Sequence, residues 1–214
     1  MDFKVDTSGF NVVMKTLAIN CKKSVDRMVD IYNKVFQLSP EDARDIYMKM
    51  GDDLRNKGDY DGAIQAFEKV LRDHPGNTDA LFKLGRTYLD AGRPNDAIDA
   101  IKKVTLLNGD SAHAFYQLGS AYFMIDENSR ALEAFQEAIK LDENYAEAYY
   151  KMGLLYDGMS KFDKAISAYD KAITIKPDYV KAYQSIGLAY EGKGMREEAV
   201  KYFKKALEKE EKGK

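Results

Sequence analysis

The chain is poor in the residues that do chemistry. Of its 214 residues one is cysteine and two are histidine. Cys21 has no partner for an internal disulfide, which suits a reducing compartment. His74 and His113 stand alone, with no cysteine or histidine at ligand spacing, which argues against a zinc site. No Gly-Lys-Ser/Thr phosphate loop accompanies the Gly-x-x-Gly spacings, and no serine lies in a Gly-x-Ser-x-Gly elbow. Acidic pairs such as Asp52-Asp53 and Glu197-Glu198 fall on predicted helices beside basic residues and read as solvated faces. Catalytic, cofactor-binding and metal-binding residues are therefore all expected to be none, and the chain is not expected to be an enzyme.

Two further absences bound the partners. Charge of one sign is not in excess, with 33 basic against 35 acidic residues and a net charge of −2. No basic face is available to neutralise many phosphates, so nucleic acid is not an expected partner. No stretch approaches the ~20 apolar residues of a spanning helix. The opening MDFKVDTSGF is polar and lacks the basic patch and apolar run of a signal peptide. The expectation is a soluble protein, or one attached to a membrane only peripherally. With 45% hydrophobic and 32% charged residues, the composition is that of a folded, highly charged soluble chain.

What the sequence does have is a period. Glycines recur at 51, 85, 119, 153 and 187, and alanines at 63, 97, 131, 165 and 199, always 34 residues apart. The same step links Tyr47, Leu81, Phe115, Tyr149 and Tyr183, then Leu54, Tyr88, Tyr122, Tyr156 and Tyr190. A fifth register holds Phe67, Ile101, Phe135, Tyr169 and Phe203. Each unit reads as two amphipathic helices joined by a short turn. The recurring Gly and Ala are expected where the paired helices approach closest, because a larger side chain would overpack the contact. Gly58, Gly92 and Gly194 occupy the turn, where a left-handed residue ends the first helix cheaply. Asp126 and Ser160 replace that glycine in the third and fourth copies, at a modest backbone cost. Ser39-Pro40-Glu41-Asp42 predicts an N-cap, a proline at the first helical position and an acidic first turn. Pro94 suits a first helical turn, while Pro75 and Pro177 punctuate joints between copies.

These registers resemble the tetratricopeptide repeat (TPR) family over roughly residues 44–210. The shared pattern is a large residue at position 4, Leu-Gly at 7–8, Tyr at 11, Ala at 20, Phe at 24, Ala at 27 and Pro at 32. Position 1 falls on Arg44, Thr78, Ala112, Ala146 and Val180. The resemblance implies an all-α fold, a right-handed TPR superhelix (α-solenoid) of five 34-residue helix-turn-helix repeats preceded by one degenerate repeat. The expected organisation is 1–43 for the degenerate N-terminal repeat, 44–109 for repeats 1–2, and 110–214 for repeats 3–5 with a short charged tail. At position 30, Leu107, Leu141 and Ile175 are expected to pack on the following repeat. The last copy has Lys209 there, so the fifth repeat is expected to be terminal.

Two places are irregular. Asn108 and Gly109 stand where the fourth copy has Lys176-Pro177, so this joint is either a hinge that lets the solenoid flex or simply a tight turn. In residues 10–21, Phe10, Val13, Met14, Leu17 and Cys21 form one apolar face, and Val12 and Ile19 form a second stripe seven residues apart. A terminal cap should be polar outside. The segment is either a poorly idealised cap or a self-association element in which Phe10, Val12, Val13, Leu17 and Ile19 dock onto another copy or a membrane headgroup layer.

In the TPR family the first helix of each copy lines a concave wall, with positions 2, 5, 6, 9, 12 and 13 facing the groove. That resemblance implies a partner groove of Met48, Lys49, Phe82, Lys83, Arg86, Leu89, Tyr116, Gln117, Phe123, Tyr150, Lys151, Leu154 and Lys181. The chaperone-tail clamp of the family is not reproduced in any window of three copies, although Lys151 and Lys181 could still pair with an acid. An apolar groove with scattered charge fits an amphipathic helix better; the N-terminal helix of a neighbouring copy is one natural occupant.

Residues 27–64, RMVDIYNKVFQLSPEDARDIYMKMGDDLRNKGDYDGAI, are also similar to a narrower family of magnetosome-associated TPR proteins. The shared skeleton is Met28-Val29-Asp30, Phe36, an acidic patch, Arg44, Tyr47, Gly51, Gly58, Tyr60 and Ala63. This resemblance implies a bacterial homo-oligomer attached peripherally to the cytoplasmic side of a magnetosome membrane, with itself and other magnetosome proteins as partners. The alternatives are a monomeric TPR adaptor, or the repeat arm of an enzyme complex whose catalytic chain is separate.

Overall fold

The structure is a computed structural model, and it describes residues 39–212. Those residues form ten helices and no strand. In order they are α1 (Pro40–Asn56), α2 (Tyr60–Asp73), α3 (Thr78–Asp90), α4 (Pro94–Leu107), α5 (Ala112–Met124), α6 (Asn128–Leu141), α7 (Ala146–Gly158), α8 (Phe162–Ile175), α9 (Val180–Gly192) and α10 (Arg196–Lys212). They are the two helices of each of five repeats, in the order of a TPR solenoid. The chain divides into two compact units between Thr87 and Tyr88, within α3. The apolar stripes of residues 10–21, and with them Phe10, Val12, Val13, Leu17 and Ile19, lie outside the described residues.

Helix starts follow the local signals. The Ser39 hydroxyl accepts from the Asp42 N–H at 3.1 Å, Pro40 occupies the first helical position, and Glu41 and Asp42 fill the first turn of α1. Asp59, Asn77 and Ser111 accept in the same way from Gly62, Ala80 and Ala114.

One turn closes every repeat. The N–H groups of Asp59, Arg93, Glu127, Lys161 and Met195 donate to the carbonyls of Leu54, Tyr88, Tyr122, Tyr156 and Tyr190 at 2.8–3.0 Å. That backward bond needs one left-handed residue just before it. Gly58, Gly92 and Gly194 supply it at φ 77°, 69° and 76°, while Asp126 and Ser160 adopt φ 58° and 56°. Three copies thus use the residue without a Cβ, and two carry a side chain in a strained conformation.

Small residues set the distance between paired helices. Each recurring alanine from Ala63 to Ala199 is at most 3% exposed. A Cβ added at Gly51 would lie 2.5 Å from the Phe67 ring; at Gly119 it would lie 2.7 Å from Phe135, and at Gly187 2.5 Å from Phe203. At Gly153 it would overlap the Tyr169 ring. The ring of the second helix therefore rests on the bare backbone of the first. In the unit holding 88–212, α5 pairs with α6, α7 with α8 and α9 with α10, and the pairs join through α4–α5, α6–α7 and α8–α9.

Position 30 departs from expectation. Leu107 is 57% exposed and Leu141 39% exposed, so neither is buried in a joint with the following repeat; Ile175 is half-buried. The last buried register of the second helix is position 27, at Val70, Val104, Ala138, Ala172 and Ala206. Three residues later α2, α4, α6 and α8 end, so position 30 is their last helical residue.

Candidate functional site

The two units present different halves of the expected groove. In the first, Met48 is half-buried against the cluster of Tyr47, Val70 and Ala80, so it belongs to the core more than to an open wall. Lys49 is exposed, and Phe82 is half-buried with the Arg86 guanidinium 5.9 Å from its ring centroid. The Lys83 ammonium lies 2.7 Å from the Asp52 carboxylate and 3.6 Å from Asp79. Arg44, Met48, Lys49, Asp52, Asp79 and Lys83 help line an open cavity of about 470 Å³. Its basic and acidic groups are interleaved, and its central lysine is already neutralised.

In the second unit Leu89 is half-buried, and the remaining groove residues gather on α5, α7 and α9. Tyr116 and Tyr150 do not stand free as an apolar ladder. The Tyr116 ring lies 5.0 Å from Tyr145 and 5.8 Å from Phe135, and the Tyr150 ring 4.9 Å from Tyr179 and 5.6 Å from Tyr169. These are ordinary distances for packed aromatic pairs. His113 joins the first stack, 5.9 Å from the Tyr145 ring, with its Nδ1 2.7 Å from the Tyr145 hydroxyl. Among the described residues no cluster of His, Cys, Asp or Glu could hold a metal ion.

Tyr145 and Tyr179 were not among the expected site residues. Both occupy position 34, one residue before a first helix, and their 34-residue spacing was the signal that could have found them. Burial pushes the phenols of Tyr116 and Tyr179 above the ordinary tyrosine value, and the nearby Glu147 charge adds to it. For Tyr116 a hydrogen bond to Ser120 acts in the opposite sense.

Beside the rings lies a basic pair. The Lys151 ammonium sits 5.1 Å from the centroid of Phe123, within reach of a cation–π interaction. Burial holds Lys151 below the ordinary lysine value, and the charge of Lys181 lowers it further. Among the described residues no carboxylate lies within ion-pair distance of either lysine. Gln117 and Leu154 are half-buried nearby in the same helical registers, and Leu154 packs against the cluster containing Ile186 and Ala189. The arrangement is a half-buried aromatic floor with an unneutralised positive edge.

Asn108 and Gly109 are placed at the end of α4. The Asn108 N–H donates to the Val104 carbonyl at 2.8 Å, and its side-chain oxygen lies 3.4 Å from the Asp110 N–H. Gly109 is not in the left-handed region, and a Cβ there would find only the Thr105 carbonyl oxygen, at 3.8 Å.

Tetratricopeptide repeat family models match residues 54–120, 146–179 and 180–210, and a TPR repeat model matches 127–160. No curated protein sequence matches the chain. Among solved structures, a crystal structure of MamA protein is 61% identical over 80% of this chain and 94% of its own, with a TM-score of 0.72. A second MamA crystal structure is 62% identical over 77% and 96%, with a TM-score of 0.71. MamA 41-end from Desulfovibrio magneticus RS-1 shares the fold at 24% identity, over 80% and 97%, with a TM-score of 0.73.

Proposed function

Since the chain belongs to the tetratricopeptide repeat family, in its MamA branch, we propose that it is a non-catalytic scaffold working on the surface of a magnetosome membrane. It assembles with copies of itself through residues 10–37 and recruits partner proteins along the concave face of its repeats. Among the described residues no helix is long and apolar enough to cross a membrane, which fits attachment at the surface.

The observation that carries the recruiting role is the basic edge of α7 and α9. Burial, with the charge of Lys181 adding to it, disfavours the charged form of Lys151, whose ammonium already rests on an aromatic face. A partner carboxylate placed between them relieves that repulsion, while its apolar side lies on the tyrosine floor. The expected partner is thus an amphipathic segment carrying an acid.

Two measurements test the reading. Light scattering of the full chain beside a chain beginning at residue 41 should show assembly only for the former; two monomers at micromolar concentration would leave the generic adaptor. Co-sedimentation with purified magnetosome vesicles should fall at least tenfold for Lys151→Glu with Lys181→Glu. Unchanged binding would remove the groove from the mechanism.

A further inference from the structure

The joints between repeats share one unbonded amide. At position 31 the N–H still closes the second helix: His74, Asn108, Asp142 and Lys176 donate to carbonyls four residues back at 2.8–2.9 Å. At position 32 no such acceptor is in reach, so Pro75 and Pro177 sit there without losing a bond. The other two joints keep that N–H, on Gly109 and Glu143, and among the described residues no oxygen accepts from either.

The joint at Asn108 is also the least tied. In the other three, the N–H of position 34 donates to the carbonyl of position 31, from Asn77 to His74 at 3.0 Å, Tyr145 to Asp142 at 3.2 Å and Tyr179 to Lys176 at 3.0 Å. No such bond runs from Ser111 to Asn108. Asn108, Gly109 and Asp110 are all exposed. The Asn108 side chain reaches forward over the turn, its oxygen 3.4 Å from the Asp110 N–H. That pose, an Asx turn, brings its amide carbon alongside the Gly109 nitrogen.

Three dipeptides in the chain place glycine after Asn or Asp, namely Asp61-Gly62, Asn108-Gly109 and Asp157-Gly158. The Gly62 N–H donates to the Asp59 carboxylate at 3.1 Å, and Gly158 is the last residue of α7, with its N–H in the helical ladder. Gly109 alone leaves its amide uncommitted. Each other asparagine among the described residues precedes a residue with a Cβ, which crowds the following nitrogen.

We propose that Asn108-Gly109 is a self-modification site, where the chain converts Asn108 to aspartate and isoaspartate with solvent water as the co-reactant. Hydroxide removes the Gly109 amide proton, and the nitrogen attacks Cγ of Asn108. A new C–N bond closes a five-membered imide, the bond from Cγ to the side-chain nitrogen breaks, and ammonia leaves. One water then opens the ring. Opening at Cγ gives aspartate; opening at the main-chain carbonyl gives isoaspartate, whose backbone runs through Cβ and Cγ. Ring closure turns the Asn108 ψ from its 87°. No turn bond, Gly109 hydrogen bond or Gly109 Cβ resists that rotation.

The two products differ in consequence. Asp142 already fills this place in the next joint, at φ −139°, ψ 98°, with its carboxylate accepting from the Asn144 N–H at 3.0 Å. Aspartate at 108 therefore suits the joint as built. Isoaspartate lengthens the backbone between α4 and α5 by one carbon, and these two helices pack on each other across the joint. The mark accumulates with the age of the chain and loosens one repeat joint in the copies that carry it.

The test ages the full chain in mildly alkaline buffer. Peptide masses and methyl transfer by a purified isoaspartyl methyltransferase are the readouts. Residue 108 should gain about one dalton at least tenfold faster than Asn56, Asn77, Asn95, Asn128 or Asn144, at a rate that rises with hydroxide. Gly109→Ala should slow the gain at least tenfold, and Gly109→Pro, which has no N–H, should abolish it. Among residues 39–212, methyl acceptance should be confined to 108 in the folded chain and extend to Asp61 and Asp157 in urea. The isoaspartyl chain, separated by chromatography, should exchange its α4–α5 amides several-fold faster than fresh protein, while Asn108→Asp should not. A gain that persists in Gly109→Pro, an Asn108 no faster than the other asparagines, or equal methyl acceptance by Asp61 and Asp157 in the folded chain overturns the proposal. Unchanged exchange in the isoaspartyl chain overturns its effect on the joint.

Discussion

Replacing Gly119 by alanine tests the contact on which every repeat depends. The new methyl would stand 2.7 Å from two ring carbons of Phe135 and 3.1 Å from a third. Carbon atoms settle at about 3.5–4.0 Å, so the ring must retreat by about 0.8 Å. Phe135 has no exposed surface, and its retreat must drag α6 away from α5. Overpacking of this kind costs about 1–3 kcal/mol, with a fully enclosed ring toward the upper end. The gain in helix propensity from glycine to alanine offsets about 1 kcal/mol of that. The net expectation is a loss of about 1–2 kcal/mol.

Gly158 supplies the control. It closes α7, lies outside the left-handed region, and has nothing within 4 Å of an added Cβ. There the same substitution should stabilise by about 0.5 kcal/mol. Because a repeat array need not unfold in one step, the readout is hydrogen exchange of the α5–α6 amides for Gly119 and the α7–α8 amides for Gly158. Phe135→Leu should cost much less in the Gly119→Ala background than in the wild type, since the smaller side chain relieves the collision. If Gly119→Ala leaves α5 and α6 as well protected as before, ring contact with bare backbone does not set the helix spacing.

Other substitutions probe separate features. Asp126→Gly and Ser160→Gly should each raise stability by about 0.5–1 kcal/mol in urea unfolding, because each relieves a left-handed side chain. Tyr169→Phe should be neutral or stabilising by up to about 1 kcal/mol. The Tyr169 hydroxyl is buried without a well-formed hydrogen bond, with Ser185 as its polar neighbour, and burial pushes that phenol well above its ordinary value; a clear loss would mean the Ser185 contact is a true bond. Burial also raises the Asp157 carboxyl above its ordinary value. The folded state therefore holds this proton more tightly, and stability is lost as pH rises through the carboxylate range. Asp157→Asn should increase the melting temperature at pH 7, with the advantage vanishing below pH ~3.9. Gly109→Pro copies the fourth joint, where Lys176 precedes Pro177 at φ −125°, ψ 87°, close to the φ −138°, ψ 87° of Asn108. It should stabilise by about 0.4–1 kcal/mol, and if the joint is a hinge it should narrow the distribution of distances between labels at residues 99 and 133.

The fold was legible because its main constraints are steric and local. A left-handed turn, a close helix contact and an N-cap each demand a particular residue type, so Gly58, Gly119 and Ser39 announce their structure from sequence alone. Position 30 was misread because Leu107 and Leu141 have an apolar character with no steric consequence; only the end of the helix decides whether a neighbour reaches them. The groove was half legible. Helical register puts Tyr116 and Tyr150 on the face of the first helices, but what those rings touch depends on Tyr145 and Tyr179, which sit one residue outside the helices, where only the 34-residue spacing and not the helical period marks them.

That difference changes what the groove can discriminate. Rings already stacked on Tyr145 and Tyr179 have given up part of their apolar surface to the fold, so a purely apolar partner gains little by covering them. Their stacking also fixes their rotamers, and a partner meets a floor whose ordering cost has been met in folding. The unmatched element is electrostatic. Lys151 is half-buried, where screening by solvent is reduced, and the charge of the exposed Lys181 acts on it there. A carboxylate there meets two cations at once, while a neutral side chain leaves their repulsion intact. On the proposed recruiting role, selectivity along this wall would belong to the basic pair on α7 and α9.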